Sequence, residues 1–345
     1  GTTLVMASSG QHAIAGLQRR ARRAWDGSTL MKSSDWNLKK NEVRAMKICS
    51  FGSLNIDYIY SVEHFVHAGE TIPTLDRSNV CGGKGLNQSI AMAKAGASVY
   101  HAGNVGAVDG QLLLTTLQAN GVNVSLISRQ NTANGHAIIQ VDAKGENSIL
   151  LFGGTNKMVT EEQIVHVLSH FEAGDVLVLQ NEINMLPQII RQGHEKGMKI
   201  VLNPSPIAGI VETVPLELVD LLFVNEEEAC LIGGGATAQE SAGRLRERYP
   251  QMTVICTLGK KGAIVYGEEE AFFPSYNVKA VDTTGAGDTF LGFYVGSMVK
   301  NMGVDECLKC ATAAAALSIQ KKGASTSIPT LTEVEQFIAD MTTKG

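Results

Sequence analysis

The chain has 345 residues, 44% hydrophobic and 18% charged, which is enough apolar material for a large core and excludes a disordered chain. No apolar run approaches the roughly 18–20 residues needed to cross a bilayer, so a soluble protein without membrane contact is expected. The net charge of −5 is unevenly placed: residues 1–45 hold eight Lys or Arg against three acids, a net +5, and the rest hold 21 basic and 31 acidic side chains, a net −10. Such an acidic body argues against bulk nucleic-acid binding.

Residues 1–45 lack the apolar stretch and small-residue cleavage site of a secretory signal. They read as a leader that is disordered or foreign to the natural chain, with an Arg-rich organellar transit peptide as the alternative. From Met46 onward, one α/β domain over 46–345 is expected. Mainly apolar runs at 47–51, 98–103, 176–180, 199–202 and 221–224 suit parallel strands covered on both faces. Helical stretches at 86–95, 110–119, 160–169, 184–196, 237–248, 287–300, 304–319 and 331–341 alternate with them, predicting a doubly wound, mainly parallel sheet flanked by helices.

Two segments break the rhythm. IDYIYSV and ETIPTLDRSNV (56–62 and 70–80), then HAIIQVD and NSILLF (136–142 and 147–152), alternate like antiparallel strands with one wet face. They predict a small antiparallel lid sheet from about 56–80 and 136–152. After residue 250, TVICTLGKKGAIVYG reads as a hairpin turning at Gly259 to Gly262. Six scattered cysteines, Cys49, Cys81, Cys230, Cys256, Cys307 and Cys310, imply a reducing, cytoplasmic setting. Cys307 and Cys310 form a CxxC in an Ala-rich helical stretch with no second pair, so buried thiols are favoured over zinc.

The chemistry concentrates in VDTTGAGDTFLGFY (281–294). A strand-like approach through Asp282, Thr283 and Thr284 leads to Gly285, Ala286 and Gly287, where backbone N–H groups can converge on an anion at a helix N-terminus. Asp288 beside them repels phosphate, so its role must differ. It can act as a general base on an attacking hydroxyl while the N–H cradle neutralises a transferring phosphoryl group. Read alone, the segment also fits a plain turn with Asp288 as helix cap.

A second glycine cluster, CGGKGLNQS (81–89), offers Gly82 and Gly83 for close backbone approach, Lys84 as a mobile positive charge and Asn87 one helical turn beyond Gly83. It matches neither GxxxxGK[ST] nor GxGxxG. GSLNID (52–57) ends the first strand with Asn55 and Asp57 at i, i+2, an amide and a carboxylate suited to vicinal hydroxyls; an Asx-type turn is the alternative. LQNEI (179–183), LNPSP (202–206), VNEEEA (224–229) and CTLGKKG (256–262) place polar or glycine residues at strand ends, where open α/β sheets bind ligands. Asn225 and Glu228 can share a helix face and hold a hydrated Mg²⁺, whereas Glu226 and Glu227 read as solvated.

These segments, with KKGASTSIP (321–329), resemble the ribokinase (PfkB-type) family of carbohydrate kinases in order and spacing over about residues 46–340. The resemblance implies ATP-dependent transfer of a phosphoryl group to the 5-hydroxyl of ribose. It implies a sugar site of Asn55, Asp57, Gly83, Lys84, Asn87 and Glu182, Asp288 as base, and Gly285, Ala286 and Gly287 as anion hole. It places Asn225, Thr257, Leu258, Gly259, Gly262, Gly287 and Thr312 at ATP and Glu228 near Mg²⁺ through water. It further implies an activating K⁺ at Asp282, Thr284, Ser318, Lys321, Gly323 and Ser327. Thr312 stands where relatives often carry His or Asn, and Asp109 falls one residue later than the family's acidic position in its turn, so no role is assigned to it.

Another small sugar, such as 2-deoxyribose, a ketose or a nucleoside, remains open as substrate. A non-catalytic sugar sensor would be expected to have lost the base or the glycines, and a dinucleotide oxidoreductase would need the missing GxGxxG. The lid strands would expose an apolar face unless they close over the sugar or pair with another subunit, so a homodimer through the lid is expected.

Overall fold

A computed structural model describes residues 44–207, 209 and 213–343. Of the basic leader, residues 1–43 lie outside the described residues. Arg44 already belongs to the body, because its guanidinium donates to buried Asp175 at 2.8 Å and pairs with Glu172 at 3.3 Å.

The first half of the chain runs β1 (Lys47–Phe51), β2 (Asn55–Ser61), β3 (Asp76–Gly82), α1 (Lys84–Lys94), β4 (Ser98–Gly106), α2 (Gln111–Ala119), β5 (Asn123–Gln130), β6 (Gly135–Val141) and β7 (Asn147–Phe152). Then follow α3 (Glu161–Leu168), β8 (Val176–Gln180), α4 (Leu186–Glu195), β9 (Lys199–Asn203), β10 (Leu221–Asn225), α5 (Glu226–Gly233) and α6 (Ala238–Arg248). The last part holds β11 (Thr253–Thr257), β12 (Gly262–Tyr266), β13 (Ala271–Pro274), α7 (Ala286–Met298), α8 (Val304–Ser318) and α9 (Leu331–Thr343).

Nine strands form the central sheet in the order β13-β12-β11-β10-β9-β8-β1-β4-β5. β1 pairs in parallel with both β4 and β8, and only the β11–β12–β13 edge is antiparallel. The apolar runs behave as fully covered strands should, with every residue of β8 buried. Core clusters lie on the two faces of the sheet, one including α1, α7 and α8, the other α3 to α6. The chain leaves β1 for β4 on one side and reaches β8 on the other, so the order reverses at β1 and opens a crevice at the strand ends there. Among the described residues no helix is long and apolar enough to cross a membrane.

A separate four-stranded sheet, β3-β2-β6-β7, forms the lid. Three details differ from expectation. The central lid pairing, β2 with β6, is parallel, because the two hairpins β2–β3 and β6–β7 lie side by side with their first strands adjacent. β3 begins at Asp76 rather than at residue 70, since residues 62–75 form the hairpin loop and Pro73 lacks a ladder donor. Asn55 and Asp57 open the lid strand β2 instead of ending β1. In addition, β5 and β13 lie outside the expected strands; β5 is an edge strand, NVSLISRQ, with neither a continuous apolar run nor a sustained alternation, and β13 is only four residues long.

Candidate active site

The approach to the glycine turn contains no strand: β13 ends at Pro274, and residues 275–284 run irregularly to α7. What fixes them is the loop after α8. Val281 N and Asp282 N donate to the Ile319 carbonyl at 2.7 and 3.1 Å, and Gly323 N donates to Asp282 Oδ2 at 2.9 Å. Asp282 Oδ1 accepts from the Thr284 amide at 2.9 Å and hydroxyl at 2.7 Å. Partial burial works against the Asp282 carboxylate, but these donors overcome it and lower its pKa. Asp282, Thr284 and Gly323 are thus joined. Ser318 and Lys321 share one turn through Lys321 N and the Ser318 carbonyl at 3.1 Å, and the Ser327 hydroxyl donates to the Ala324 carbonyl at 2.9 Å. An anionic carboxylate among hydroxyl and carbonyl oxygens is a donor set that suits a hard monovalent cation.

Helix α7 starts at Gly285, whose φ of +74° favours glycine and whose added Cβ would lie 2.9 Å from the Ala324 side chain. No side chain caps the start, so Asp288 is not a cap. Ala286 N bonds to the Thr283 carbonyl at 3.2 Å, leaving Gly287 and Asp288 N–H uncapped at the mouth of a cleft of about 280 Å³. That cleft also receives Lys84, Asn203 and Ser205, the β10 end at Asn225, Glu228 and Thr257. First-turn N–H groups at such a place attract an anion.

Asp288 is buried, and its carboxylate is gripped from α1: Asn87 Nδ2 donates to Oδ2 at 3.1 Å and Gln88 Nε2 to Oδ1 at 2.9 Å. Two turns of packing explain this meeting. An added Cβ at Gly292 would lie 2.2 Å from the Ala91 Cβ, and one at Gly296 would lie 2.6 Å from the Ala95 Cβ. Residues 288, 292 and 296 therefore form one stripe on α7, facing 87, 91 and 95 on α1, each at i, i+4 spacing. Small residues at the contact let the backbones close, and the closure carries Asp288 to Asn87. The Gln88 amide is itself oriented, because its Oε1 accepts from Gln180 Nε2 at 2.8 Å at the end of β8.

At the crevice beside β1, Glu182 follows β8 and accepts from the Lys84 amide at 3.0 Å and from the Ser53 hydroxyl. Gly83, at φ +92°, turns the chain from lid strand β3 into α1 between these groups. Burial raises the Glu182 pKa, although the Ser53 hydroxyl and Lys84 oppose the shift. Burial, reinforced by the Glu182 charge, pushes Asp57 up to about 6. Burial also pushes the Lys84 ammonium down, yet Asp288, Glu182 and Glu228 outweigh it and hold its pKa raised. Asn55 Oδ1 accepts from Asn156 Nδ2 at 2.7 Å, and Asn156 Oδ1 accepts from the Leu54 amide at 3.0 Å. Lys84 thus sits between Glu182 on the lid side and Asp288 at the cleft.

Asn225 and Glu228 do not share a helix face. Asn225 is the N-cap of α5, accepting from the Glu228 amide at 2.8 Å, while Glu228 Oε2 accepts from the Asn225 amide at 3.0 Å. This capping box arises because NEEE places an amide three residues before an acid at a helix start. Glu228 Oε1 also accepts from the Ser205 hydroxyl, so its carboxylate suits contact with a hydrated ion through water. Glu226 pairs with Lys261 at 3.1 Å on the surface. Leu258 and Gly262 close the hairpin through Leu258 N and the Gly262 carbonyl at 2.8 Å, around Gly259. Thr312 is buried within α8, and its hydroxyl has no partner among the described residues. Cys307 and Cys310 are buried free thiols on α8, as expected. Asp109 accepts from the Asn134 amide at 3.1 Å just before β6, a structural tie.

Ser53, Gln88, Gln180, Asn203 and Ser205 lie in the strand-end and glycine segments singled out above without being assigned a role, because their partners are long-range; Asn156 lies in none of those segments.

A model of the pfkB family of carbohydrate kinases matches residues 45–331. The ribokinase of Haemophilus influenzae is 34% identical over 301 residues, covering 83% of this chain and 96% of that protein. The ribokinase of Bacillus subtilis is 33% identical, covering 85% and 99%. Among solved structures, ribokinase from Thermotoga maritima superposes with a TM-score of 0.78 at 32% identity, covering 86% of this chain and 99% of that one. Arabidopsis thaliana ribokinase complexed with ribose and ATP gives 0.75 at 27% identity, covering 85% and 98%. With its uncapped glycine turn, gripped aspartate and lid matched over most of its length, the chain belongs to the pfkB family of carbohydrate kinases.

Proposed function

We propose that the protein transfers the γ-phosphoryl group of ATP to the 5-hydroxyl of D-ribose, giving ribose 5-phosphate and ADP. The observation that carries this reading is the buried Asp288 carboxylate, fixed by Asn87 and Gln88 at the uncapped start of α7. A base must stand within hydrogen-bond reach of the hydroxyl whose proton it takes, and the charge of the migrating group must be met by donors already in place. Asp288 serves the first need, and the turn at Gly285, Ala286 and Gly287 serves the second through the uncapped Gly287 N–H, the Ala286 N–H being taken by the Thr283 carbonyl. Asn55, Asp57, Gly83, Lys84, Asn87 and Glu182 hold the sugar. Asn87 has one buried oxygen without a partner among the described residues, which is an acceptor for a sugar hydroxyl next to the base.

ATP lies along Asn225, Thr257, Leu258, Gly259, Gly262 and Thr312 with its phosphates toward Gly287. Glu228 holds Mg²⁺ through water, and Mg²⁺, when bound, neutralises phosphate charge. A K⁺ beside Asp282, Thr284, Ser318, Lys321, Gly323 and Ser327 stiffens the loop that aims the N–H groups, an electrostatic preorganisation. A homodimer forms through the lid, whose edge strand β7 exposes Ile149, Leu150, Leu151 and Phe152. The six free thiols suit a reducing, cytoplasmic setting.

A 2-deoxyribose kinase is the second reading, because the deoxyribokinase of Salmonella typhi is 29% identical over 303 residues. The paired amide and carboxylate of Asn55 and Asp57 favour a sugar with adjacent hydroxyls. ADP release measured with ribose, 2-deoxyribose, ketoses, hexoses and nucleosides decides the matter. The highest kcat/KM for ribose is expected; a higher value for any other sugar refutes ribose as the substrate.

A further inference from the structure

Far along the lid from the cleft, the hairpin loop between β2 and β3 gathers three donors within seven residues. His64 Nε2 lies 2.9 Å from Glu70 Oε1, and His67 Nδ1 lies 3.2 Å from Glu70 Oε2. The three donor atoms all lie within 4.8 Å of one another. We propose that His64, His67 and Glu70 form a surface site for a divalent transition-metal ion of the zinc type, separate from the sugar and nucleotide sites.

The geometry is near what such an ion demands. Donors at about 2.0–2.2 Å in a tetrahedron stand about 3.4 Å apart, so no pair in this cluster has to close by more than roughly 1.4 Å, a side-chain adjustment. The backbone is already shaped for it. Glu70 N bonds to the His67 carbonyl at 3.1 Å across a turn in which Gly69 has φ +80°, bringing the carboxylate back over both rings. The loop is pinned by Val62 N on the Val141 carbonyl at 2.9 Å, Val66 N on Gln140 Oε1 at 3.2 Å and Leu75 N on the Ser61 carbonyl at 2.8 Å. Residues 62–75 contain no Lys or Arg, while Glu63 and Glu70 are acidic, so the field favours a cation.

Ligand chemistry selects the ion. Two imidazoles with one carboxylate suit zinc and its neighbours, whereas Mg²⁺ and K⁺ prefer all-oxygen shells. Water completes the coordination on the exposed side. Bound metal would cross-link the loop joining the two strands that carry Asn55, Asp57 and Gly82, and so stiffen the lid.

The full chain, treated with chelator and desalted, is titrated with zinc by calorimetry beside the variant H64A/H67A and with 5 mM Mg²⁺ present in a parallel series. One equivalent bound by the parent, absent from the variant and untouched by Mg²⁺, is the expected result. Cobalt(II) in place of zinc should give d–d bands without a thiolate charge-transfer band, and hydrogen exchange across 62–75 should slow. Both replaced side chains are on the surface, so the variant is expected to show the parent's thermal transition and turnover without added zinc. Equal zinc binding by parent and variant, a thiolate band, displacement by Mg²⁺, or no binding overturns the assignment.

Discussion

Replacing Asp288 by Asn removes the proposed base while keeping its shape, and the surrounding bonds set what else changes. Gln88 can only present its NH₂ to position 288, because its oxygen is held by Gln180. The oxygen of the new amide accepts from Gln88, and its NH₂ then meets Asn87. Asn87 can turn its amide over, since the oxygen it would present has no protein partner among the described residues. Both charge-assisted contacts are weakened and none need be left as two facing donors, a loss of about 1–3 kcal/mol of stability. Turnover should fall by about 10²–10⁴-fold, equivalent to about 3–5 kcal/mol in the barrier. The assay pairs ADP release under saturating ATP and ribose with ATP affinity by calorimetry and a melting curve. The expected outcome is a large loss in kcat with ATP binding and fold retained. A variant turning over within about threefold of the parent would remove Asp288 from the role of base.

Four further outcomes follow from the same geometry. Gly292→Val drives a side chain into Ala91, which an added Cβ already meets at 2.2 Å; a loss of about 1–3 kcal/mol in stability and a fall in kcat are expected, and unchanged values of both would show that helix closure does not place Asp288. Because burial holds Asp57 at about 6, its carboxylate is present above that pH and protonated below it, so the KM for ribose should rise as pH drops through about 6; D57N should flatten that limb, and an unaltered profile refutes its role as hydroxyl acceptor. Turnover should be higher in K⁺ than in Na⁺, with D282A losing the difference; equal rates with either ion, or with neither, contradict the cation's role. Sedimentation should show a dimer that L150D converts to a monomer, and a monomeric parent would exclude the lid interface.

The local patterns of the chain carried a large share of the architecture and named several of the groups that the cleft brings together. Apolar runs such as VLVLQ and LLFVN suited covered parallel strands, and GAGD suited a helix start with free amides as well as a plain turn, because these outcomes depend on neighbours a few residues apart. The cap on α5 was equally local, yet its meaning was ambiguous: the same Asn225 and Glu228 spacing serves a shared helix face or a capping box, and the backbone dihedrals at Asn225 choose the second.

What sequence alone determined, then, was the set of chemical groups, their order and the elements that carry them, since hydrophobic period, glycine and capping residues act over one or two turns of chain. Tertiary structure decided which groups meet. Asn87 and Asp288 are 201 residues apart, and they touch because Gly292 and Gly296 let two helices approach over Ala91 and Ala95. Ser53 reaches Glu182 across 129 residues because the strand order reverses at β1. The parallel pairing of β2 with β6 has the same origin: alternation shows that a strand has a wet face but says nothing of its partner, which is set by where the closed core leaves the two hairpins side by side.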